Sequence, residues 1–194
     1  MSSEINQTLH SARGTQGSHL SSTRALTTSA VCVALLAVSA YISFPLPFTP
    51  AMVTALTIMV NLVGFLKTPK QAAVILSIYL LLGMVGVPVF VGGTSGMAKI
   101  FGPTGGFNLG FLAAVVAMSA IRGGRKWSSG KLVALGVLVG MPIIYAGGCI
   151  SMYLVAKVGL WKTLVMAVFP FLIGDVLKVV LAAFLASRLQ RYVF

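Results

Sequence analysis

Asp175 and Lys178 carry most of the chemistry open to this chain. They stand three positions apart in a continuously apolar stretch, and Glu4 is the one other acid among 194 residues. An ionisable side chain at the centre of a bilayer costs about 2.5 to 3.5 kcal/mol on insertion scales, so a pair kept there asks for a reason. Three apart on a helix, the two share a face. They form either a neutralising ion pair packed inside a bundle or a polar ligand site, the carboxylate accepting and the ammonium donating hydrogen bonds. Pro170 bears on their depth, because it fits poorly inside a helix running from Thr163 but well as the first residue of one running to Ser187. Such a helix puts Asp175 about 7.5 Å below its start, facing an outward pocket, with residues 161–169 as a separate segment able to cap a cavity. A single helix kinked at Pro170 would set the pair deeper.

A second candidate is the glycine-rich stretch 88–106, followed by a helix. Glycines permit positive φ and close approach of backbone N–H groups, and a helix N-terminus favours an anion such as a substrate carboxylate. A flexible connector has the same composition. Neither Gly-Lys-Ser/Thr at P-loop spacing nor G-x-G-x-x-G occurs, so the chain has no motif for hydrolysing ATP itself. There are no paired carboxylates, no metal-spaced ligands and no histidine in an apolar segment, which leaves little for an enzyme to work with. No cofactor is implied. Cys32 and Cys149 lie inside apolar runs and read as small core residues.

The elements that must position these residues follow from composition. The chain is 58% hydrophobic and only 8% charged, against roughly 25% charged in a soluble domain. Residues 1–23 are rich in Ser, Thr, Gly and Gln and read as a disordered tail in which His10 and His19 are solvated. The domain is then 24–194. Apolar segments at about 25–43, 51–66, 71–87, 104–121, 131–156 and 164–187 approach the roughly 20 residues that span a bilayer. Their continuous apolarity favours helices over barrel strands. The first segment also resembles a signal peptide, with Arg24 before it and Val38-Ser39-Ala40 near its end.

The net charge of +12 reflects topology rather than nucleic-acid binding. Arg13, Arg24, Lys67, Lys70, Arg122, Arg125, Lys126, Lys131, Arg188 and Arg191 sort to one side, and Lys99, Lys157 and Lys162 to the other. Because short basic loops stay inside, both termini are expected in the cytoplasm. The outward connections are then 44–50, 88–106 and the segment around 157–162. The fold class expected is an all-α integral membrane protein of six transmembrane helices. Trp127, Trp161, Tyr192 and Phe194 lie near span ends, as interfacial anchors do. On the first span Ala30, Ala34 and Ala37 recur at helical spacing, a face suited equally to docking another membrane helix and to packing within the bundle.

Four stretches, in order, match one family: Pro45-Leu-Pro-Phe-Thr-Pro50; Tyr79-Leu-Leu-Leu-Gly83 with Gly86 and Pro88-Val-Phe90; Gly102-Pro-Thr-Gly-Gly-Phe107 with Gly110-Phe111; and Pro170-Phe-Leu-Ile-Gly-Asp175-Val-Leu-Lys178. Over residues 25–190 the chain resembles BioY, the biotin-specific substrate-binding component of energy-coupling factor transporters. The resemblance implies a six-helix bundle in the cytoplasmic membrane of a prokaryote that captures biotin from outside. Its implied partners are a transmembrane coupling protein and two cytoplasmic ATPases. It also implies that Asp175 and Lys178 contact the ligand, and that Ala30 and Ala34 form the docking face. Asp175 would accept from the ureido N–H groups while Lys178 donates to the ureido oxygen or another acceptor. Tyr79, Phe90, Phe107 and Tyr145 are candidates for the apolar lining, and backbone N–H groups around Gly92, Gly93 and Gly96 for the polar ends. After Pro50 the family often continues Pro, then Thr-Leu-Gln-Thr, and the Gln position is Leu56 here; from this segment only Thr54 is a candidate. Two alternatives remain at this point: a self-sufficient proton-coupled transporter cycling a proton on Asp175, and the same receptor architecture for another vitamin.

Overall fold

The computed structural model describes residues 23–193 except 48 and 158. The expected tail, with Glu4, His10, Arg13 and His19, lies outside the described residues, as do Phe48, Phe194 and the side chain of Tyr192. Thr23 already belongs to the first helix, α1 (Thr23–Tyr41).

The second apolar segment differs from its expected form. Residues 51–55 do not begin a helix: β1 (Ser43–Pro45) pairs antiparallel with β2 (Met52–Thr54), with Ser43 opposite Thr54 and Pro45 opposite Met52. Pro47 and Pro50 lie in the connection between the strands, where their missing N–H groups cost no ladder bond. Helix α2 (Leu56–Leu66) starts only after this ribbon, with Thr54 Oγ1 accepting from the Leu56 N–H at 3.1 Å. Helix α3 (Pro69–Val85) opens on a capping box between Thr68 and Gln71, carries Pro69 in its first turn and stops at Gly86, whose φ of 112° suits glycine.

The glycine-rich stretch holds a short helix, α4 (Met97–Phe101), before α5 (Gly105–Arg122). Next come α6 (Ser129–Leu135), a π-helical turn at Gly136–Gly140 and α7 (Met141–Ala156), which together form one apolar rod. The last apolar segment divides as Pro170 suggested. Helix α8 (Leu160–Ala167) is separate from α9 (Phe169–Val193), which has Pro170 in its first turn and runs past Ser187.

Among the described residues, four helices are long and apolar enough to cross a membrane: Thr23–Tyr41, Gly105–Arg122, Ser129–Ala156 and Phe169–Arg191. Helices α2 and α3 are apolar but have 11 and 17 residues, or about 17 and 26 Å at 1.5 Å per residue. Helices α5 and α7 meet backbone to backbone, since a Cβ at Gly106 would strike the Gly147 carbonyl and one at Gly147 would strike that of Gly106. Glycine at such a crossing gains close packing where hydrocarbon surroundings supply no hydrophobic drive. Helix α1 is the least enclosed span: Val33, Leu36 and Ala40 enter the core, while Leu26, Val31 and Val38 remain exposed.

The basic residues are not all solvated. Lys67 is buried and Arg122 is wholly so. The Arg122 guanidinium donates to the carbonyls of Lys67 (2.9 Å) and Arg125 (3.2 Å). It thereby ties the end of α2, with its orphan carbonyls, to the end of α5.

Candidate functional site

On α9 the buried positions Phe171, Asp175, Val179, Ala182 and Ala186 recur with helical period, whereas Ile173 and Leu177 are 85% and 70% exposed. Asp175 therefore lies on the inner face, one turn from Phe171. Lys178 Nζ donates to Asp175 Oδ1 at 2.9 Å, and the side chains of Asp175 and Lys178 are 12% and 16% exposed. Two other helices add to the carboxylate. The Tyr145 hydroxyl of α7 donates to Oδ2 at 2.9 Å, and the Thr57 hydroxyl of α2 lies 3.5 Å from Oδ1. A carboxylate offers about four lone-pair directions and an ammonium three donors. Asp175 thus keeps accepting capacity after these contacts, and Lys178 keeps donors.

The pair faces a cavity of about 690 Å³, its mouth included, a size in the range of small-molecule sites. Its apolar walls are Phe90, Phe107, Phe111, Ile144 and Phe171, with Ala51, Met52 and Val91. Thr54, Thr57, Asn108 and Tyr145 add polar atoms, and Lys99 and Thr104 contribute from the glycine-rich stretch. Apolar walls with a few convergent polar groups suit a compact molecule whose rings are greasy and whose edge carries hydrogen-bonding groups.

Of the residues singled out in the sequence, Asp175, Lys178, Thr54, Phe90, Phe107 and Tyr145 line this cavity. Tyr79 stands behind it: fully buried, it packs edge-on against Phe90 at 5.8 Å and donates its hydroxyl to the Val89 carbonyl at 2.9 Å. Gly83 leaves space for the same Phe90 ring, which a Cβ there would strike. The loop N–H groups named as candidates for a ligand's polar ends have partners within the chain. Gly92 N–H donates to the Ala40 carbonyl, Gly93 and Thr94 to that of Phe90, and Gly96 to that of Gly83. Those glycines, all at positive φ, shape a loop that closes on itself and on α1 and α3. Helix α8 meets the connection between the two strands, where Thr49 Oγ1 donates to the Met166 carbonyl at 2.8 Å, and none of its described residues lines the cavity.

Sequence reasoning missed Thr57, Asn108 and Lys99. Thr57 had a signal, because it follows Thr54 by three residues and stands in the first turn of α2, the helix that packs on α9. Asn108, a lone amide in the first turn of an apolar helix, had a similar one. Lys99 was read only as an outward loop charge. Ala30 and Ala34 are both exposed on α1, so packing within the bundle does not account for them.

The BioY family sequence model matches residues 10–194. A "Probable biotin transporter BioY" of Pyrococcus horikoshii is 36% identical over 161 residues, covering 83% of this chain and 93% of the relative. A "Biotin transporter BioY" of Thermotoga maritima is 32% identical over 168 residues, covering 87% and 96%. Among solved structures, "the S-component for biotin from an ECF-type ABC transporter" superposes with a TM-score of 0.81 at 22% identity, over 88% of this chain and 93% of that one.

Proposed function

The chain belongs to the BioY family, and from that premise we propose that it is the biotin-capturing component of an energy-coupling factor transporter. It serves biotin uptake and is a multi-pass membrane transporter subunit, not an enzyme. In this reading residues 24–194 form six membrane helices, α2 and α3 being the two short ones, with both termini in the cytoplasm of a prokaryote. The cavity end, with the ribbon, the glycine-rich stretch and α8, faces outside. The opposite end carries Lys67, Lys70, Arg122, Arg125, Lys126, Lys131, Arg188 and Arg191, in keeping with the inside excess of basic charge.

The observation that carries the reading is a buried carboxylate, held by groups from three helices, in an aromatic-walled cavity of a membrane protein. Biotin's ureido group has two N–H donors and one carbonyl acceptor on an apolar bicycle. Asp175 accepts from the ureido N–H groups, and Lys178 turns a free N–H to the ureido oxygen while keeping Asp175 ionised. Phe90, Phe107 and Phe171 cover the bicycle, and Lys99 supplies the cation for the carboxylate tail. A transmembrane coupling protein and two ATPases supply the energy, docking through the exposed Ala30 and Ala34 face of α1.

Calorimetry with Asp175→Asn tests the site. Loss of a charge-assisted hydrogen bond should weaken biotin binding by about 1.5 to 3 kcal/mol in a protein of unchanged helicity. Unchanged affinity would remove Asp175 from the site. Competition among biotin, thiamine and riboflavin checks the ligand itself, and displacement of biotin by either of the others would defeat its assignment.

A further inference from the structure

At the end of the bundle away from the cavity, an open cleft is lined by Arg125, Lys126, Trp127, Lys131, Leu135, Leu138 and Val139, with Ala134. Its three cations are exposed. The whole chain has two acids, Glu4 and Asp175. Asp175 is committed to Lys178 in the cavity, and theirs is the ion pair found among the described residues. Among the described residues no carboxylate is paired with these cations. The other half of the cleft is aliphatic and runs along the span Ser129–Ala156, where Leu138 is 73% exposed. Trp127 also lines the cleft, half-buried against the core, its backbone N–H held by the Oε1 of buried Gln190 at 3.2 Å. An indole at the level where a helix leaves the hydrocarbon is an interfacial arrangement.

We propose that this cleft binds an anionic phospholipid, its phosphate between Arg125, Lys126 and Lys131 and an acyl chain along Leu138 and Val139. Charge complementarity selects an anion. The aliphatic half selects a tethered chain over a free anion, because it lies on a membrane-spanning helix and is reached from within the bilayer. An acidic protein surface would satisfy the cations but leave that wall uncovered. The proposal does not depend on the biotin reading.

The test is native mass spectrometry of the full chain in detergent. Phosphatidylglycerol is compared with phosphatidylcholine of the same acyl chains, and inorganic phosphate serves as the headgroup-only competitor. A single phosphatidylglycerol should be retained in preference to phosphatidylcholine and should survive added phosphate. The triple variant Arg125→Gln, Lys126→Gln, Lys131→Gln should bind it at least about tenfold more weakly. A charge-matched control, Lys70→Gln, Arg188→Gln, Arg191→Gln, should bind it as the parent does. Melting temperature reports whether each variant is folded, independently of biotin. Equal loss in both variants would reduce the cleft to general basicity and overturn the proposal. So would equal retention of the two lipids, or full displacement by phosphate. Loss of partner-subunit co-purification in the triple variant without any lipid preference would assign the cleft to a protein instead. If the triple variant fails to fold, the parent's lipid preference and phosphate competition decide the matter alone.

Discussion

Arg122 and Asp175 are both buried in an apolar bundle, near its opposite ends, and make their hydrogen bonds to different kinds of partner. Arg122 is held by backbone carbonyls, those of Lys67 and Arg125. Carbonyls in a helix end and a turn move only when the chain moves, so this contact locks two connections together. Asp175 is held by side chains, Lys178, Tyr145 and Thr57. Side chains can exchange one partner for another by rotation, and these face a cavity. The comparison separates a buried charge that stabilises the fold from one kept available for a ligand.

Three substitutions probe this difference, in order of expected effect. Arg122→Ala removes two charge-assisted hydrogen bonds and should cost about 3 to 5 kcal/mol of stability, read as a lowered melting temperature in detergent. The fraction that folds should bind biotin as before; a variant that melts like the parent would show that the carbonyl contacts do not lock the fold. Tyr145→Phe deletes one donor to Asp175 but keeps the ring against the cavity, so stability should hold and biotin affinity should fall by about 1 kcal/mol. A larger loss of stability than of affinity would move Tyr145 to the structural side of the comparison. Ala34→Trp, on an exposed face of α1, should change biotin affinity by less than about 0.5 kcal/mol and yet abolish uptake in cells carrying the coupling proteins. Equal loss of binding and uptake would indicate a bundle disturbed as a whole.

What could be read along the chain was what depends on near neighbours. Asp175 and Lys178 share a face because three residues on a helix bring them there, and the structure pairs them at 2.9 Å. Pro170 divides the last apolar segment because its ring and missing N–H act on the adjacent turn. The ribbon was not legible: Met52, Val53 and Thr54 are as apolar as the helix they precede, and their pairing with Ser43, Phe44 and Pro45 is a contact across a loop. Gly92 and Gly93 were legible as glycines at a bend but not as spent donors, since the acceptor of Gly92 is Ala40 on another helix.

By itself, the amino-acid order determined that this is an apolar helical chain with one acid retained inside a span, because hydropathy and helical spacing are local properties. Only the tertiary structure decided that Tyr145, 30 positions away on another helix, joins Thr57 in gripping that acid, that Tyr79 supports a wall rather than forming one, and that Arg122 is interior. Those outcomes depend on which helix faces meet, and that is settled by packing many weak contacts at once, with glycine pairs such as Gly106 and Gly147 fixing how closely the backbones approach.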